Sequence, residues 1–237
     1  MNTVAVKVWG DFACFTRPEM KVERVSYPLM TPSAARGVLE AIFWEPQMYY
    51  LVHEIAVVKK GGWVSFRRNE VQSVISLSSA KSWMKGSKAV SYIEAGVGSE
   101  FGTPRNSLVL REVEYLITAE IRLSELAQPP KDNLVKYREK FAKRAGAGKC
   151  FYRPYLGCRE FAADFELVED PAAVTVANWP EENLGLMLFD LFDHEERKSG
   201  FAWKEELSGK KKERGFAGQK IEPQAALPAL PEIGHLR

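Results

Sequence analysis

Thr31-Pro32-Ser33-Ala34-Ala35-Arg36-Gly37-Val38-Leu39-Glu40-Ala41-Ile42-Phe43 is the stretch on which the fold reading turns. Threonine is a good helix cap and proline suits the first helical position. Ala35, Val38, Leu39, Ile42 and Phe43 then recur at the spacing of one core-facing stripe, while Arg36 and Glu40 take another face. Pro46 bounds the helix, which is expected over 31–45. Upstream, Val4, Val6 and Val8 alternate with Ala5 and Lys7, the period of a strand with one buried face. The chain therefore begins strand, long irregular segment, helix.

Downstream, Met48 to Lys59 is apolar and β-prone, Gly61-Gly62 marks a turn, and Trp63, Val64 and Phe66 lead into Arg67-Arg68-Asn69-Glu70. This pair reads as an antiparallel hairpin. Residues 74–106 are rich in Ser, Gly and Lys and read as a protruding hairpin or loop; Ser107 to Leu123 is a long strand signal. A second helix is expected over 132–146, capped by Asp132 or Asn133, with Leu134, Tyr137 and Phe141 on its buried edge and Gly146 and Gly148 ending it. Leu156 to Leu167 reads as a further strand. The order β, α, β, β, α, β is that of an α+β, ferredoxin-like (split βαβ, RRM-like) domain with both helices on one sheet face, here over residues 1–168. The remaining residues 169–237 are less patterned, with a strand signal at Leu184 to Phe192, an exposed turn at Lys210-Lys211-Lys212, and a poorly ordered tail after Glu222.

Composition narrows the function. Of 237 residues, 46% are hydrophobic and 27% charged, which supports a buried core rather than disorder. No apolar run is long enough to span a membrane, and the N-terminus lacks a signal-peptide pattern. Three cysteines, Cys14, Cys150 and Cys158, form too sparse a set for a disulfide framework and suit a reducing cytoplasm. His53, His194 and His235 lie far apart, and no CxxC, HxH or HExxH spacing occurs, so no protein-held metal is expected. Charge is uneven: 131–153 holds eight basic residues against two acidic ones, a net +6 inside a chain of net +2, which leaves −4 for the rest. Lys136, Lys140, Lys143 and Arg144 fall on one helical stripe, either a solvated face or the footprint of a polyanion.

Four stretches carry a resemblance: Val8-Trp9-Gly10-Asp11-Phe12-Ala13-Cys14-Phe15-Thr16-Arg17-Pro18-Glu19; Lys21-Val22-Glu23-Arg24-Val25-Ser26-Tyr27 running into 31–42; Arg67-Arg68-Asn69-Glu70; and Tyr155-Leu156-Gly157-Cys158-Arg159-Glu160-Phe161. Together they resemble the fifth CRISPR-associated protein family, type I-C (Dvulg) subtype. The resemblance spans roughly residues 4–165. It implies a ferredoxin-like domain with a small β-rich C-terminal part, here 169–237. It also implies metal-free cleavage of the repeat in precursor CRISPR RNA, without cofactor or small-molecule ligand. The protein then stays on the 5′ handle, bound to mature CRISPR RNA beside the backbone and large subunits of the Cascade surveillance complex. A second reading keeps the handle binding and drops the cleavage.

The resemblance also supplies site positions. The family tyrosine falls at Phe43, which lacks the hydroxyl, and the family Lys-His pair of some members falls at Val135-Lys136. Lys136, Tyr137 and His53 are the remaining catalytic candidates. Lys136 suits a phosphate stabiliser or general acid, and His53 has the intrinsic pKa of a base. Tyr137 also fits core packing, and His53 a structural place in a strand. Tyr49 or Tyr50, only one of which can face the site, offers a hydroxyl. Candidate RNA contacts are Arg24, Tyr27, Arg36, Arg67, Arg68, Lys140, Lys143, Arg144, Lys149 and Arg153, with Trp44 and Trp83 as further aromatic stackers.

Overall fold

The computed structural model describes residues 2–178, apart from 21, 72, 88, 91–95, 97 and 99–101. The expected strand at Leu184 to Phe192, the lysine turn at 210–212 and the tail after Glu222 lie outside the described residues. The elements are β1 (Thr3–Ala13), β2 (Arg24–Val25), α1 (Pro32–Ile42), β3 (Met48–Lys59), β4 (Gly62–Val71), α2 (Leu77–Met84), β5 (Gly102–Leu123), α3 (Leu134–Gly146) and β6 (Asp164–Leu167). The result is a mixed α+β architecture on a six-stranded sheet.

Both large helices start as their caps dictate. The Thr31 hydroxyl accepts from the Ala34 N–H at 3.3 Å, and Asn133 Oδ1 accepts from the Lys136 N–H at 2.9 Å. Asn133, not Asp132, is thus the cap, which leaves Asp132 for another role. Helix α1 ends at Phe43, whose φ of −156° and ψ of 130° are extended.

Strand β5 is 22 residues long and organises the sheet. Strand β1 runs antiparallel along it from Thr3↔Glu120 to Ala13↔Leu110. Strand β3 runs antiparallel along the other edge, from Met48↔Leu123 to Lys59↔Glu114. Strand β6 adds to the outer edge of β1, from Val6↔Leu167 to Trp9↔Asp164, so the spatial order is β6-β1-β5-β3.

The expected hairpin of β3 with β4 does not form. Both strands run antiparallel to β5, and β4 takes over where β3 stops, from Gly62↔Arg111 to Val71↔Gly102. Gly61 and Gly62 do not reverse the chain but carry it past an irregular backbone position in β5. A Cβ on Gly61 would lie 2.5 Å from Val113 and 2.9 Å from the Arg111 carbonyl, and Glu112 opposite has φ 55°. The hairpin partner of β4 is the first half of β5, reached through a segment that contains α2. The strand expected over 156–167 is likewise only Asp164–Leu167. Leu156 accepts from the Cys14 N–H and donates to Phe161 O, closing a tight loop at Gly157 instead.

Helices α1 and α3 share one core with one sheet face: Val38, Leu39 and Ile42 meet Tyr137 and Phe141 over Val4, Val6, Val8, Tyr50, Tyr115 and Ile117. On the opposite face Ala5, Ala56 and Leu116 are covered by Val168, Val174 and Val176. Cys14, Val109 and Phe161 pack a third cluster with Phe66.

Gly157 has φ +84°, and a Cβ there would stand 2.0 Å from the Cys14 carbonyl oxygen. Gly157→Ala should therefore cost about 2 kcal/mol or more in urea unfolding. Gly37, inside α1, is the opposite case, since a Cβ added to it would meet nothing within 4 Å. Gly37→Ala should stabilise by up to about 1 kcal/mol.

Candidate functional site

The carbonyl end of α1 is where the candidate residues converge. A helix leaves its last carbonyls without intrahelical partners. Here Arg144 Nε donates to Ile42 O at 2.9 Å, and the buried Tyr50 hydroxyl donates to Phe43 O at 2.7 Å. The backbone N–H of Phe151 donates to Ala41 O at 2.7 Å. These bonds dock α3, β3 and the loop after α3 onto one point. The Phe43 ring, 8% exposed, lies 6.3 Å from the Tyr137 ring. Lys140 Nζ sits over both rings, at 5.7 and 5.8 Å, and pairs with Glu45 Oε1 at 2.6 Å.

Asp132 anchors the other side of the cluster. Its Oδ1 accepts from the Tyr137 hydroxyl at 2.6 Å and from Lys136 Nζ at 3.2 Å, and its Oδ2 from the Gln128 N–H at 3.0 Å. Lys136 Nζ also donates to Lys131 O at 3.1 Å. The Tyr137 hydrogen bond, then that of the Gln128 N–H, holds the Asp132 carboxyl down at about pKa 2. Burial, reinforced by that carboxylate, pushes the Tyr137 phenol well up, so it keeps its proton. Phe43, Lys136, Tyr137, Lys140 and Arg144 are thus gathered, and Lys143 and Lys149 extend the patch as exposed cations.

A second cluster gathers Arg24 and Arg68. Both reach Glu160 Oε1 at 3.2 Å, and Arg24 also reaches Glu70 at 3.1 Å. Arg68 lies 4.7 Å over the Phe66 ring. Arg24 Nη1 is 3.7 Å from Cys158 Sγ, whose thiol is drawn below its usual pKa, first by a hydrogen bond from Cys14. Arg67, next to Arg68 in β4, is exposed. Arg153 is spent on Ala163 O and Asp164.

Several expected residues stand elsewhere. His53 lies on the sheet face away from both helices, its Nε2 3.3 Å from Glu120 Oε2. Tyr50 pairs with Ile121 on the helix face, so Glu120 and His53 are displaced to the other face by strand alternation. His53 therefore cannot reach a group bound at Phe43 and Lys136. Of the two tyrosines, Tyr50 faces the helices. Tyr27 is 3% exposed under Arg17, and so offers no face to a base. Arg36 is buried on α1 with Nε 3.4 Å from Glu40. Trp83 is half-buried in α2 rather than in a loop, and Trp44 is 42% exposed just beyond α1. Sequence reasoning missed Asp132 and Glu45 as the residues that organise the lysines. The i, i+4 spacing of Asp132 and Lys136 was the available signal.

The fold and its cation-lined helix junction define a mixed α+β protein with a built polar site at a helix end. The family pattern described as CRISPR-associated protein (Cas_Cas5) matches residues 3–215. The chain belongs to this family. A relative from Mannheimia succiniciproducens, named CRISPR pre-crRNA endoribonuclease Cas5d, is 40% identical over 198 residues, covering 81% of this chain and 87% of its own. One of the same name from Thermus thermophilus is 43% identical over 191 residues, covering 81% of this chain and 74% of its own. A crystal structure of a CRISPR-associated protein superimposes with a TM-score of 0.47 at 20% identity, over 70% of this chain and 66% of that one.

Asp132 ionises below its ordinary pKa in the folded state, so its contribution is present above the unfolded value and is lost as pH falls toward about 2. Tyr137→Phe removes the first cause of that shift. The stability gap between wild type and Tyr137→Phe should be full above about pH 4 and narrow steadily below it, read as Tm against pH.

Proposed function

We propose that this chain is a pre-crRNA endoribonuclease that cuts the repeat and remains on the 5′ handle in a surveillance complex with backbone and large subunits. The observation that carries this is the likeness to two relatives named endoribonucleases over four-fifths of the chain. The sheet order β6-β1-β5-β3 with two helices on one face supports a ferredoxin-like, RRM-like domain. Among the described residues no three His, Cys, Asp or Glu side chains converge as metal ligands. In the proposed reaction the RNA's own 2′-hydroxyl is the nucleophile.

In that reaction the 2′-hydroxyl gives its proton to solvent water as its oxygen attacks the adjacent phosphorus, the P–O bond to the 5′-oxygen breaks, and a 2′,3′-cyclic phosphate and a protonated 5′-hydroxyl remain. The phosphate gains negative charge in the transition state, and a preorganised cation is the largest single aid. Lys136 fits this role: Asp132 and the Lys131 carbonyl hold its ammonium group in place. It also carries a proton for the departing oxygen. Tyr137 is no base, because its proton is committed to Asp132. The site works by position and charge more than by a strong general base. One observation favours the clamp-only reading: Phe43 brings no hydroxyl, and those of Tyr50 and Tyr137 are already donated to Phe43 O and Asp132.

The test is a denaturing gel of purified protein with its repeat RNA in EDTA. Cleavage leaving a 2′,3′-cyclic phosphate is expected, and Lys136→Ala should slow it about a hundredfold or more with little loss of binding. Phe43→Tyr should leave the rate unchanged or raise it; a large fall would show that the slot tolerates only an apolar ring. Tight binding by the parent protein without any cut selects the clamp.

Binding should also be salt-sensitive. Lys143 and Lys149 are the exposed cations of the patch, whereas Lys140 and Arg144 are engaged with Glu45 and Ile42 O. If each meets a phosphate, replacing both by alanine should flatten the log–log salt slope by about 1.4, at about 0.7 per phosphate on a single strand. An unchanged slope would make them solvated surface charges.

A further inference from the structure

We propose that Phe151 is a stacking platform for one unpaired base of the bound repeat RNA, an inference that rests on the reading above. Its ring is 83% exposed, an unusual position for phenylalanine. The loop that carries it is nonetheless fixed. The Phe151 and Tyr152 N–H groups both donate to Ala41 O, at 2.7 and 3.3 Å. Tyr152 props the ring edge-on, at 6.0 Å between centroids and 74° between planes. A rigid aromatic with an open face costs little entropy to engage, which is what a base-binding surface needs.

Location and charge select the occupant. Ala41 stands two residues before Phe43, so the ring is tied to the same helix end as the lysine cluster. Lys149, two residues earlier, and Lys143, in the last turn of α3, are exposed, and Gly148, at φ +63° with open space around its Cβ direction, leaves the backbone before the loop uncovered. One exposed ring, with the partly exposed Tyr152 at its edge, is too small an apolar area for a protein-docking face. It suits a single strand, in which phosphates meet lysines and a base meets a π-face. Bases splayed from a single strand are read in this way.

The experiment uses the full chain and its repeat RNA, with binding followed by fluorescence anisotropy. Phe151→Ala should weaken binding about tenfold, Phe151→Trp should restore it, and the salt slope should not change, since no charge is lost. A scan of the repeat with single abasic nucleotides locates the base: at one position the abasic RNA should cost wild type about tenfold and Phe151→Ala nothing more. Unchanged binding by Phe151→Ala, with wild type binding and cutting normally, overturns the platform alone. So does a lowered Tm with no abasic position that couples to it, which would mean that the ring packs against the chain's own residues. Failure of the parent protein to bind the repeat overturns the platform and the RNA reading together.

Discussion

Strand β5 hydrogen-bonds to four other strands, and the rest of the structure depends on that pairing. Its second half is held between β1 and β3, and its first half carries β4. Glu112, at φ 55°, marks the joint between the halves, and Gly61 is there because β3 must hand over to β4 close against it. The pairing of β5 with β1 keeps one register through that point, from Gly10↔Val113 to Phe12↔Arg111, while the other edge passes from β3 to β4. Above Glu112, Val113, Tyr115, Ile117 and Ile121 feed the helix-covered core. Below it, Val109 serves the smaller cluster around Phe161.

The site inherits its position from that core. Because α1 packs on the sheet through Val38, Leu39 and Ile42, its carbonyl end is brought against α3 and needs donors. Arg144, Tyr50 and the Phe151 backbone provide them, and cations are favoured there by the helix dipole. The same bonds that complete the helix place Lys136, Lys140 and the Phe151 loop around Phe43.

Charge is less free than composition implies. The basic segment between 131 and 153 is partly neutralised within the fold: Lys136 by Asp132, Lys140 by Glu45, Arg153 by Asp164. Such partly exposed pairs contribute little to stability, and their geometry matters more as orientation. Lys131 ahead of α3, and Lys143 and Lys149 at its end and beyond, face solvent.

Helices α1 and α3, their caps and their buried stripes were legible in the sequence, because they follow from local rules: Thr31 and Pro32 start α1, and Tyr137 and Phe141 face the core wherever α3 is placed; α2 was not, since its stretch reads as a hairpin or loop. The family was legible too, from motifs long enough to be distinctive. Pairing was not. Nothing local distinguishes Gly61-Gly62 in a reversing turn from glycines at a close strand crossing, because the difference lies in Val113 and Arg111, far along the chain. Nor does a strand's own sequence say which face meets the helices, so His53 and Tyr50 could be sorted only once β3 was paired with β5. Tertiary structure alone decided that Lys140 carries a partner, because Glu45 lies 95 residues from Lys140 and meets it only when α1 and α3 share a core.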